Sequence, residues 1–237
     1  MVGFGTILNT LAILAGGLLG GLFGKFLNEN VQDGVTKACG ISTLFIGVSG
    51  TLEKMLSVEN GVVVSSGSML IIACLVIGGI AGELLGIEDG FERFGSWLKI
   101  KSGNAKDKGF VDAFVTASLT VCIGAMAIVG SIADGLTGDY SILATKSILD
   151  LVIITVMSCS LGKGAVFSAI PVAILQGSIT ALAGLLRPIM TAAALNNLSL
   201  VGNVLIFCVG VNLVWGKKVK VANLLPGIVV AVVAAFI

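Results

Sequence analysis

Two opposite charges four residues apart dominate the chemistry available to this sequence. Lys146 and Asp150 lie in the apolar stretch 140–161, with Asp150 near its middle. Residues at i and i+4 of a helix are neighbours, so the two charges can neutralise each other. A charge at the centre of a membrane helix costs about 2.5–3.5 kcal/mol, and an apolar pair is often as stable. We therefore expect the pair to line a wet cavity and bind a small solute or a cation; a structural ion pair between helices is the alternative.

A second group of candidates surrounds breaks in the apolar pattern. Gln176 follows Pro171, which loosens the backbone hydrogen bonds of its helix. Ser131 and Asp134 lie in the glycine-rich stretch 123–139, which is a poor sequence for an unbroken helix in lipid. Non-helical backbone survives at membrane depth only where protein or water covers it. We expect this span to end early, with Ser131 and Asp134 facing a cavity; an ordinary turn outside the membrane is the alternative.

Three asparagines complete the set of candidate binding residues. A neutral amide within an apolar stretch joins helices by hydrogen bonds more often than it binds a ligand. The same groups could converge on the charged pair, so we include them as candidates: Asn9, Asn203 and Asn212.

Several chemistries are excluded by the residues that the chain lacks. The sequence contains no histidine, and its five cysteines show no C-x-x-C spacing, so neither a metal site nor cysteine–histidine catalysis is expected. No G-x-x-x-x-G-K-[ST] motif is present, so the chain by itself does not hydrolyse ATP. A net charge of +1 gives no field that would attract nucleic acid. We predict no enzymatic activity, no cofactor and no nucleic-acid partner.

The composition requires a lipid environment. Of 237 residues, 56% are apolar and only 11% are charged, and the mean hydropathy is +1.09. Soluble domains carry about 25% charged residues, so this chain cannot cover a water-facing surface. We predict an all-α polytopic membrane protein that forms one transmembrane domain over residues 1–237, with the lipid bilayer as its surroundings.

Eight apolar stretches are long enough to approach or span the hydrocarbon core, which needs about 20 residues. The seventh is short and polar, which suggests a broken or re-entrant segment. The predicted spans are 4–25, 35–56, 66–87, 110–133, 140–161, 165–187, 198–215 and 220–237.

The distribution of cations orients these spans. Eight crossings leave only Lys54 and Arg187 on one side. The other side receives most of the 14 Lys and Arg residues: Lys25, Lys37, Arg93, Lys99, Lys101, Lys106, Lys108, Lys163, Lys217, Lys218 and Lys220. Positive charge accumulates in cytoplasmic loops, so we predict an inner-membrane protein with both termini outside the cytoplasm.

The longest cytoplasmic loop, 88–109, begins with an amphipathic segment. Phe91, Phe94 and Leu98 share one helical face, and Trp97 lies beside them. This pattern predicts a short helix in the membrane interface, with its lysines near anionic headgroups.

Glycine spacing and a weak internal similarity predict how the helices pack. The 33 glycines exceed the average share of about 7%, and many recur every fourth residue, which lets helices approach closely. Such faces serve packing within the chain or a homodimer. Residues 12–16 and 44–48 resemble 173–177 and 206–210, which predicts that spans 1–3 correspond to spans 6–8. An offset of five crossings makes this an inverted repeat, as in many secondary transporters.

Two adjacent stretches, 129–141 (VGSIADGLTGDYS) and 145–150 (TKSILD), resemble the YqgA-like family of bacterial inner-membrane proteins, which carries a domain-of-unknown-function label. The resemblance covers nearly the whole chain, and Ala125 departs from it where the family has a proline. It implies a transport protein, without a substrate or a binding residue. Other similar segments are Gly5-Thr6 with Asn9, 82–88 (GELLGIE), 110–118 (FVDAFVTAS), 176–178 (QGS) and 222–226 (ANLLP).

These features together favour an ion- or proton-coupled secondary transporter of a small polar or charged solute. Asp150 would bind a proton or Na⁺, and Lys146 would bind an anionic group of the solute. The alternatives are a passive channel or pore and a non-catalytic scaffold subunit of a membrane complex.

Overall fold

The apolar stretches fold into α-helices because backbone groups in lipid must satisfy their hydrogen bonds within the segment. The computed structural model describes residues 2–237, and most of them are helical. The helices are α1 Phe4–Phe23, α2 Glu29–Met55, α3 Ser68–Leu85, α4 Ile87–Lys101, α5 Phe110–Cys122, α6 Ala125–Thr137, α7 Ser141–Leu161, α8 Ala169–Ala181, α9 Ala183–Leu186, α10 Ala192–Trp215, α11 Val221–Leu224 and α12 Pro226–Val233. Strands β1 Leu56–Glu59 and β2 Val62–Ser65 form an antiparallel hairpin, and 3-10 turns occupy Gly24–Phe26, Lys163–Ser168 and Ala234–Phe236.

The chain is an all-α polytopic membrane protein, as the composition predicts. Within residues 2–237, six helical segments are long and apolar enough to cross a membrane, and α5 with α6 forms a seventh if this bent pair is one span. The segment Val221–Phe236 is apolar but shorter than these six, and Pro226 begins a new helix within it. The number of eight crossings and the inverted repeat stay predictions.

Two segments differ from the expected pattern. Residues 198–215, whose short and polar stretch suggested a broken or re-entrant segment, lie within one continuous helix of 24 residues, Ala192–Trp215. The glycine-rich stretch expected to lose helical structure is helical from Ala125 to Thr137, and the break lies earlier, at Ile123 and Gly124. At this break α5 and α6 are bent by 61°, and Gly124 has a φ of +156°, which residues with a Cβ rarely adopt.

The chain divides into two compact units, which are described separately. The first unit comprises the residues up to Cys39 together with Asp89–Cys122 and Met126–Arg187. The second comprises Gly40–Glu88, Ile123–Ala125 and Pro188–Ile237.

Glycines set the packing of the first unit. A Cβ at Gly16 would lie 2.5 Å from the carbonyl oxygen of Leu151, and one at Gly20 would lie 2.1 Å from that of Thr155. From the first contact to the second, the residue number increases by four in both helices. Helices α1 and α7 are therefore parallel, and their backbones are in contact. The glycine stripe of α1 is therefore used for packing within the chain.

The bent pair α5–α6 contacts the segment 163–181 near both of its ends. Its first residue, Phe110, lies against Gly164 at one end of that segment, where a Cβ on the glycine would be 1.9 Å from the Phe110 carbonyl oxygen. Near its other end, Gly135 lies against Thr180, with a corresponding distance of 2.5 Å to the Thr180 carbonyl oxygen.

Helix α4, Ile87–Lys101, covers most of the 88–109 loop and packs on α5. Leu98 is buried, and Phe94 packs edge-on against Phe114 of α5 with ring centroids 5.8 Å apart. Trp97 stacks on Phe94 and stays exposed. The position of this helix in the membrane interface stays a prediction.

The second unit is built from two antiparallel helix pairs. Gly47 of α2 lies against Phe207 of α10, while Gly210 of α10 lies against Leu44 of α2. Gly82 of α3 lies against Asn223, and a Cβ at Gly78 would lie 2.3 Å from the backbone nitrogen of Gly227.

Candidate functional site

The predicted charged pair is present and buried in the first unit. Lys146 Nζ donates hydrogen bonds of 2.8 and 2.7 Å to Oδ1 and Oδ2 of Asp150, one turn further along α7. Asp150 is 2% exposed and Lys146 is 8% exposed. Both carboxylate oxygens are therefore engaged by the same ammonium group, and the pair is shielded from solvent in this conformation.

Asn9 joins the pair from another helix. Its Nδ2 donates a 3.0 Å hydrogen bond to Asp150 Oδ2, while its own Oδ1 has no hydrogen-bond partner among the described residues. The parallel packing of α1 on α7 brings the two side chains together, because the α1 glycines remove the side chains that would hold the helices apart. Three candidates from the sequence thus form one network: Asn9, Lys146 and Asp150.

Asp134 lies in the same unit but binds the backbone at the start of α1. Its Oδ1 and Oδ2 accept hydrogen bonds of 3.2 and 3.0 Å from the backbone N–H groups of Gly3 and Gly5. The first N–H groups of a helix lack partners within the helix, and its N-terminus carries a partial positive charge. Asp134 therefore closes the N-terminus of α1, which is a sufficient structural reason for its burial.

Gln176 is the most unusual of the candidates. It is 1% exposed, and among the described residues neither its Nε2 nor its Oε1 has a hydrogen-bond partner. A buried amide without partners costs about 1–3 kcal/mol on mutational scales. Two serine hydroxyls are also buried without partners within the described part of the chain, those of Ser118 and Ser131.

A tightly packed layer lies one helical turn from Gln176. Thr6 Oγ1 and Thr180 Oγ1 are 3.4 Å apart, and Gly135 packs against the Thr180 backbone; we name these three residues the threonine layer. Since Gly17 lies against Val166 and Thr6 against Thr180, the segment 163–181 runs antiparallel to α1. The layer therefore joins α1, α6 and α8 at the end of the unit where α1 begins.

Helix geometry places three unpartnered groups at one level, directly beneath the threonine layer. Residues one turn apart share a helix face. Asn9 is one turn inward from Thr6 on α1, and Gln176 is one turn inward from Thr180 on α8. Ser131 is one turn inward from Gly135 on α6. Asn9, Ser131 and Gln176 thus each lie one helical turn from a member of the threonine layer.

The break between α5 and α6 lies close to the charged pair. The Cys122 thiol, which ends α5, interacts electrostatically with both Lys146 and Asp150. The bend therefore begins near the network.

The other two candidates belong to the second unit and have other partners there. Asn212 Nδ2 donates a 2.7 Å hydrogen bond to the Val219 carbonyl, and Oδ1 accepts from the backbone N–H groups of Lys218 and Val219. These bonds hold the turn that follows α10. The side chain of Asn203 packs against Gly50 of α2.

A third buried carboxylate, besides those of Asp150 and Asp134, was not among the sequence candidates. Glu88 is 3% exposed, forms a 2.9 Å ion pair with Lys217, and accepts a 2.9 Å hydrogen bond from the Ala222 N–H. Asn223 accepts from the Glu88 N–H and donates to Glu83, which also pairs with Lys220. The only sequence signal was the proximity of these residues to the ends of apolar stretches, where charges normally meet water.

Among the side chains that the structure describes, no three acidic or cysteine groups come close enough together to hold a metal ion. The neutral pair and the uncharged amides instead form a site that suits hydrogen-bonding partners.

Comparisons with known proteins agree with this architecture. Residues 4–236 match the family described as "Protein of unknown function (DUF554)", which confirms the resemblance noted in the sequence. The "Uncharacterized membrane protein YdfK" of Bacillus subtilis (strain 168) is 30% identical, over 99% of this chain and 96% of that protein. The "Uncharacterized protein YqgA" of Escherichia coli (strain K12) is 28% identical, over 96% of this chain and 94% of that protein. No solved structure matches the chain.

Proposed function

The chain belongs to the DUF554 family, and from its membrane-spanning helices and buried polar network we propose that it is a secondary transporter of a small polar or charged solute. Transport is coupled to a proton or to Na⁺. The protein has no enzymatic activity in this proposal and lies in the inner membrane with both termini outside the cytoplasm. Two copies form a homodimer through glycine-rich helix faces that do not pack within the chain.

The observation that carries the proposal is the Asn9–Asp150–Lys146 network beside unpartnered polar groups. Two charges within a membrane helix are costly, and their replacement by apolar residues would remove that cost. Gln176 adds a buried amide that has no partner within the described residues. A protein that only needed a stable helix bundle would gain by removing these groups, whereas a transporter needs them to replace the water around its solute.

Coupling follows from the bonds that Asp150 makes. Both of its oxygens accept hydrogen bonds from Lys146, so binding of a proton or Na⁺ at the carboxylate must weaken this pair. The released ammonium group then binds an oxygen atom of the solute, which is anionic in a charged solute and a neutral carbonyl or hydroxyl oxygen in a polar one. One binding event thus prepares the site for the other, which is the requirement for cotransport.

The burial of the pair favours a carrier over a passive pore. Lys146 and Asp150 are shielded from solvent, and the threonine layer closes the unit at the end where α1 begins. Solute can reach the pair only after rearrangement of the helices, as alternating access requires.

The orientation of helix pairs supports the inverted repeat that many carriers possess. If spans 1–3 correspond to spans 6–8, each helix and its counterpart have opposite directions. Within the first unit, α1 runs antiparallel to the segment 163–181. Within the second unit, α2 runs antiparallel to α10, and α3 runs antiparallel to the segment that contains Asn223 and Gly227.

Counterflow in proteoliposomes tests the proposal. The purified protein is screened with radiolabelled amino acids, organic acids and cations, followed by the variants Asp150→Asn and Lys146→Met. We expect saturable flux that is stimulated by solute on the opposite side and lost in both variants. Asp139→Asn and Lys54→Met serve as matched controls, because both side chains lie outside the network.

Other outcomes would favour the alternative functions. Wild-type rates in both network variants would remove their role in transport. Ohmic single-channel currents would indicate a passive channel. Co-purification of a stoichiometric partner, without flux in any assay, would indicate a scaffold subunit.

A further inference from the structure

We propose that the transported solute carries a primary carboxamide or urea-type group, which is bound by Gln176, Ser131 and Asn9 beneath the threonine layer. This inference rests on the proposed transport function and names the chemistry of its solute. It uses a set of groups separate from the ion pair.

The amide of Gln176 is the strongest indication of a ligand. A buried serine hydroxyl can turn towards the carbonyl four residues earlier in its helix and satisfy itself. A glutamine amide carries two N–H donors and a carbonyl acceptor on a rigid plane, and it has no comparable local partner. Gln176 nevertheless has both polar atoms unpartnered among the described residues at 1% exposure. A partner from outside the chain accounts for this arrangement.

Asn9 and Ser131 lie where they can complete the site. The Thr6–Thr180 contact sets the register of α1 against α8, and the Gly135–Thr180 contact sets that of α6 against α8. One turn inward from these contacts, the three helices present Asn9, Gln176 and Ser131. The Asn9 Nδ2 is occupied by Asp150, so Asn9 offers only its Oδ1.

The free hydrogen-bonding groups match a primary carboxamide. The site has two acceptors, Gln176 Oε1 and Asn9 Oδ1, and two donors, Gln176 Nε2 and the Ser131 hydroxyl. A primary carboxamide has two N–H donors and one carbonyl oxygen with two lone pairs. One N–H and the carbonyl oxygen of the carboxamide can pair with Oε1 and Nε2 of Gln176 through two parallel hydrogen bonds. The second N–H can then donate to Asn9 Oδ1, and the second lone pair of the carbonyl oxygen can accept from the Ser131 hydroxyl.

The charge of the site also favours an uncharged group. Lys146 and Asp150 neutralise each other, and every unpartnered atom beneath the threonine layer belongs to a neutral side chain. The oxygens of a carboxylate at this position would repel two acceptors that carry partial negative charge, Gln176 Oε1 and Asn9 Oδ1. An amide presents N–H groups to the same acceptors.

Acetamide is the probe for this inference. Proteoliposomes are exposed to an acetamide gradient, and flux is followed by light scattering against protein-free liposomes. Acetate, which has the same size and a negative charge, and N,N-dimethylacetamide, which lacks N–H donors, are the comparison solutes. We expect protein-dependent flux for acetamide alone, reduced about tenfold or more in Gln176→Met, since each lost hydrogen bond leaves a buried partner unsatisfied.

A second measurement keeps the test independent of folding. Gln176→Met preserves volume and removes the unpartnered amide, so its thermal midpoint without solute should equal or exceed that of the wild type. Acetamide should raise the midpoint of the wild type and leave that of Gln176→Met unchanged. Asn197→Met is the control for flux, because the Asn197 amide already donates to the Ala231 carbonyl in the second unit.

The outcomes separate this inference from the proposed function. Equal acetamide flux in wild type and Gln176→Met, or flux no faster than in protein-free liposomes, overturns the carboxamide site and leaves water as the partner of these groups. If another solute shows counterflow that depends on Lys146 and Asp150 but not on Gln176, the transporter stands and the carboxamide inference fails. If acetamide flux depends on Gln176 but shows neither saturation nor counterflow, the site stands and the carrier mechanism fails.

Discussion

Asn9 on the first helix donates a 3.0 Å hydrogen bond to Asp150 on α7, across 141 residues of sequence. The bond connects a neutral amide to a carboxylate that already accepts two hydrogen bonds from Lys146. Binding of a proton or a cation at Asp150 would therefore change two sets of hydrogen bonds at once: the one from Asn9 of α1 and those from Lys146, one turn earlier in α7.

Removal of one charge from the buried pair should cost more than removal of both. Lys146→Met or Asp150→Leu leaves an uncompensated charge in an apolar environment, and we expect a loss of about 3–5 kcal/mol in the free energy of unfolding. The double variant should lose much less. Thermal or denaturant unfolding in detergent micelles measures the four proteins, and a double variant as unstable as the sum of the singles would contradict the assignment of a self-neutralised pair.

A covalent bond across the threonine layer should stop transport. The hydroxyl oxygens of Thr6 and Thr180 are 3.4 Å apart, so Thr6→Cys with Thr180→Cys places two thiols within reach of a disulfide. In a background without the five native cysteines, oxidation should abolish counterflow and a reductant should restore it. Each single cysteine variant is the control. An oxidised protein that transports at the normal rate would show that this layer does not move.

Two adjacent glycines of α1 should respond differently to alanine. A Cβ at Gly20 would lie 2.1 Å from the Thr155 carbonyl oxygen, whereas a Cβ at Gly21 would lie 3.8 Å from Ser158 Oγ, an ordinary van der Waals distance. Gly20→Ala should therefore separate α1 from α7 and destabilise the protein by about 1–3 kcal/mol. Gly21→Ala should be neutral or slightly stabilising, because alanine favours the helix. Unfolding of both variants in micelles tests this, and equal effects would contradict the parallel packing.

Acid should loosen the start of α7 only at low pH. The Ser141 N–H donates a 3.0 Å hydrogen bond to Asp139 Oδ1, and the backbone and hydroxyl donors of Ser141 hold the pKa of Asp139 below its ordinary value. A lowered pKa in the folded state means that the stabilisation is present above the ordinary pKa of about 3.9 and is lost as the pH falls through the lowered value. NMR titration of Asp139 in micelles measures this, with Ser141→Ala as the variant that retains only the backbone donor. Titration at the ordinary pKa would contradict the bond.

The carboxylate of Glu88 should be a stabilising contact of the second unit. It pairs with Lys217 and accepts from the Ala222 N–H while it is almost fully buried. Glu88→Ala should lower the free energy of unfolding by about 1–3 kcal/mol because it leaves the buried Ala222 N–H without its acceptor. Its exposed neighbour Asp89 provides the control, since Asp89→Ala should change stability little. Similar losses in both variants would contradict this assignment.

Local patterns in the sequence predicted the charged pair, but not its third member. Lys146 and Asp150 are one turn apart on a single helix, so their contact follows from helix geometry alone. The bond from Asn9 depends on the packing of α1 against α7, which no local pattern specifies. The ion pair of Glu88 with Lys217 was missed for the same reason, because its partner lies far along the chain.

Glycine composition was informative about packing and misleading about helix breaks. The stretch around Ser131 appeared too rich in glycine to remain helical, yet Gly130 packs against Leu143 and Gly135 packs against Thr180 within an intact helix. Close backbone contact there compensates for the low helix propensity of glycine. Composition cannot distinguish a glycine that interrupts a helix from one that admits a neighbour. In the stretch 123–139, Gly124 and Gly138 have a positive φ and flank α6, whereas Gly130 and Gly135 lie within it.

The 61° bend between α5 and α6 has a mechanical consequence. A straight helix can tilt only as a whole. Because Ile123 and Gly124 interrupt this span, they can act as a hinge about which α6 rotates while α5 keeps its contact with Gly164. The lever that would swing is 13 residues long and carries Ser131 near its middle. If the proposed transport opens this face of the first unit, only half a span has to repack, because α5 keeps its contact with Gly164.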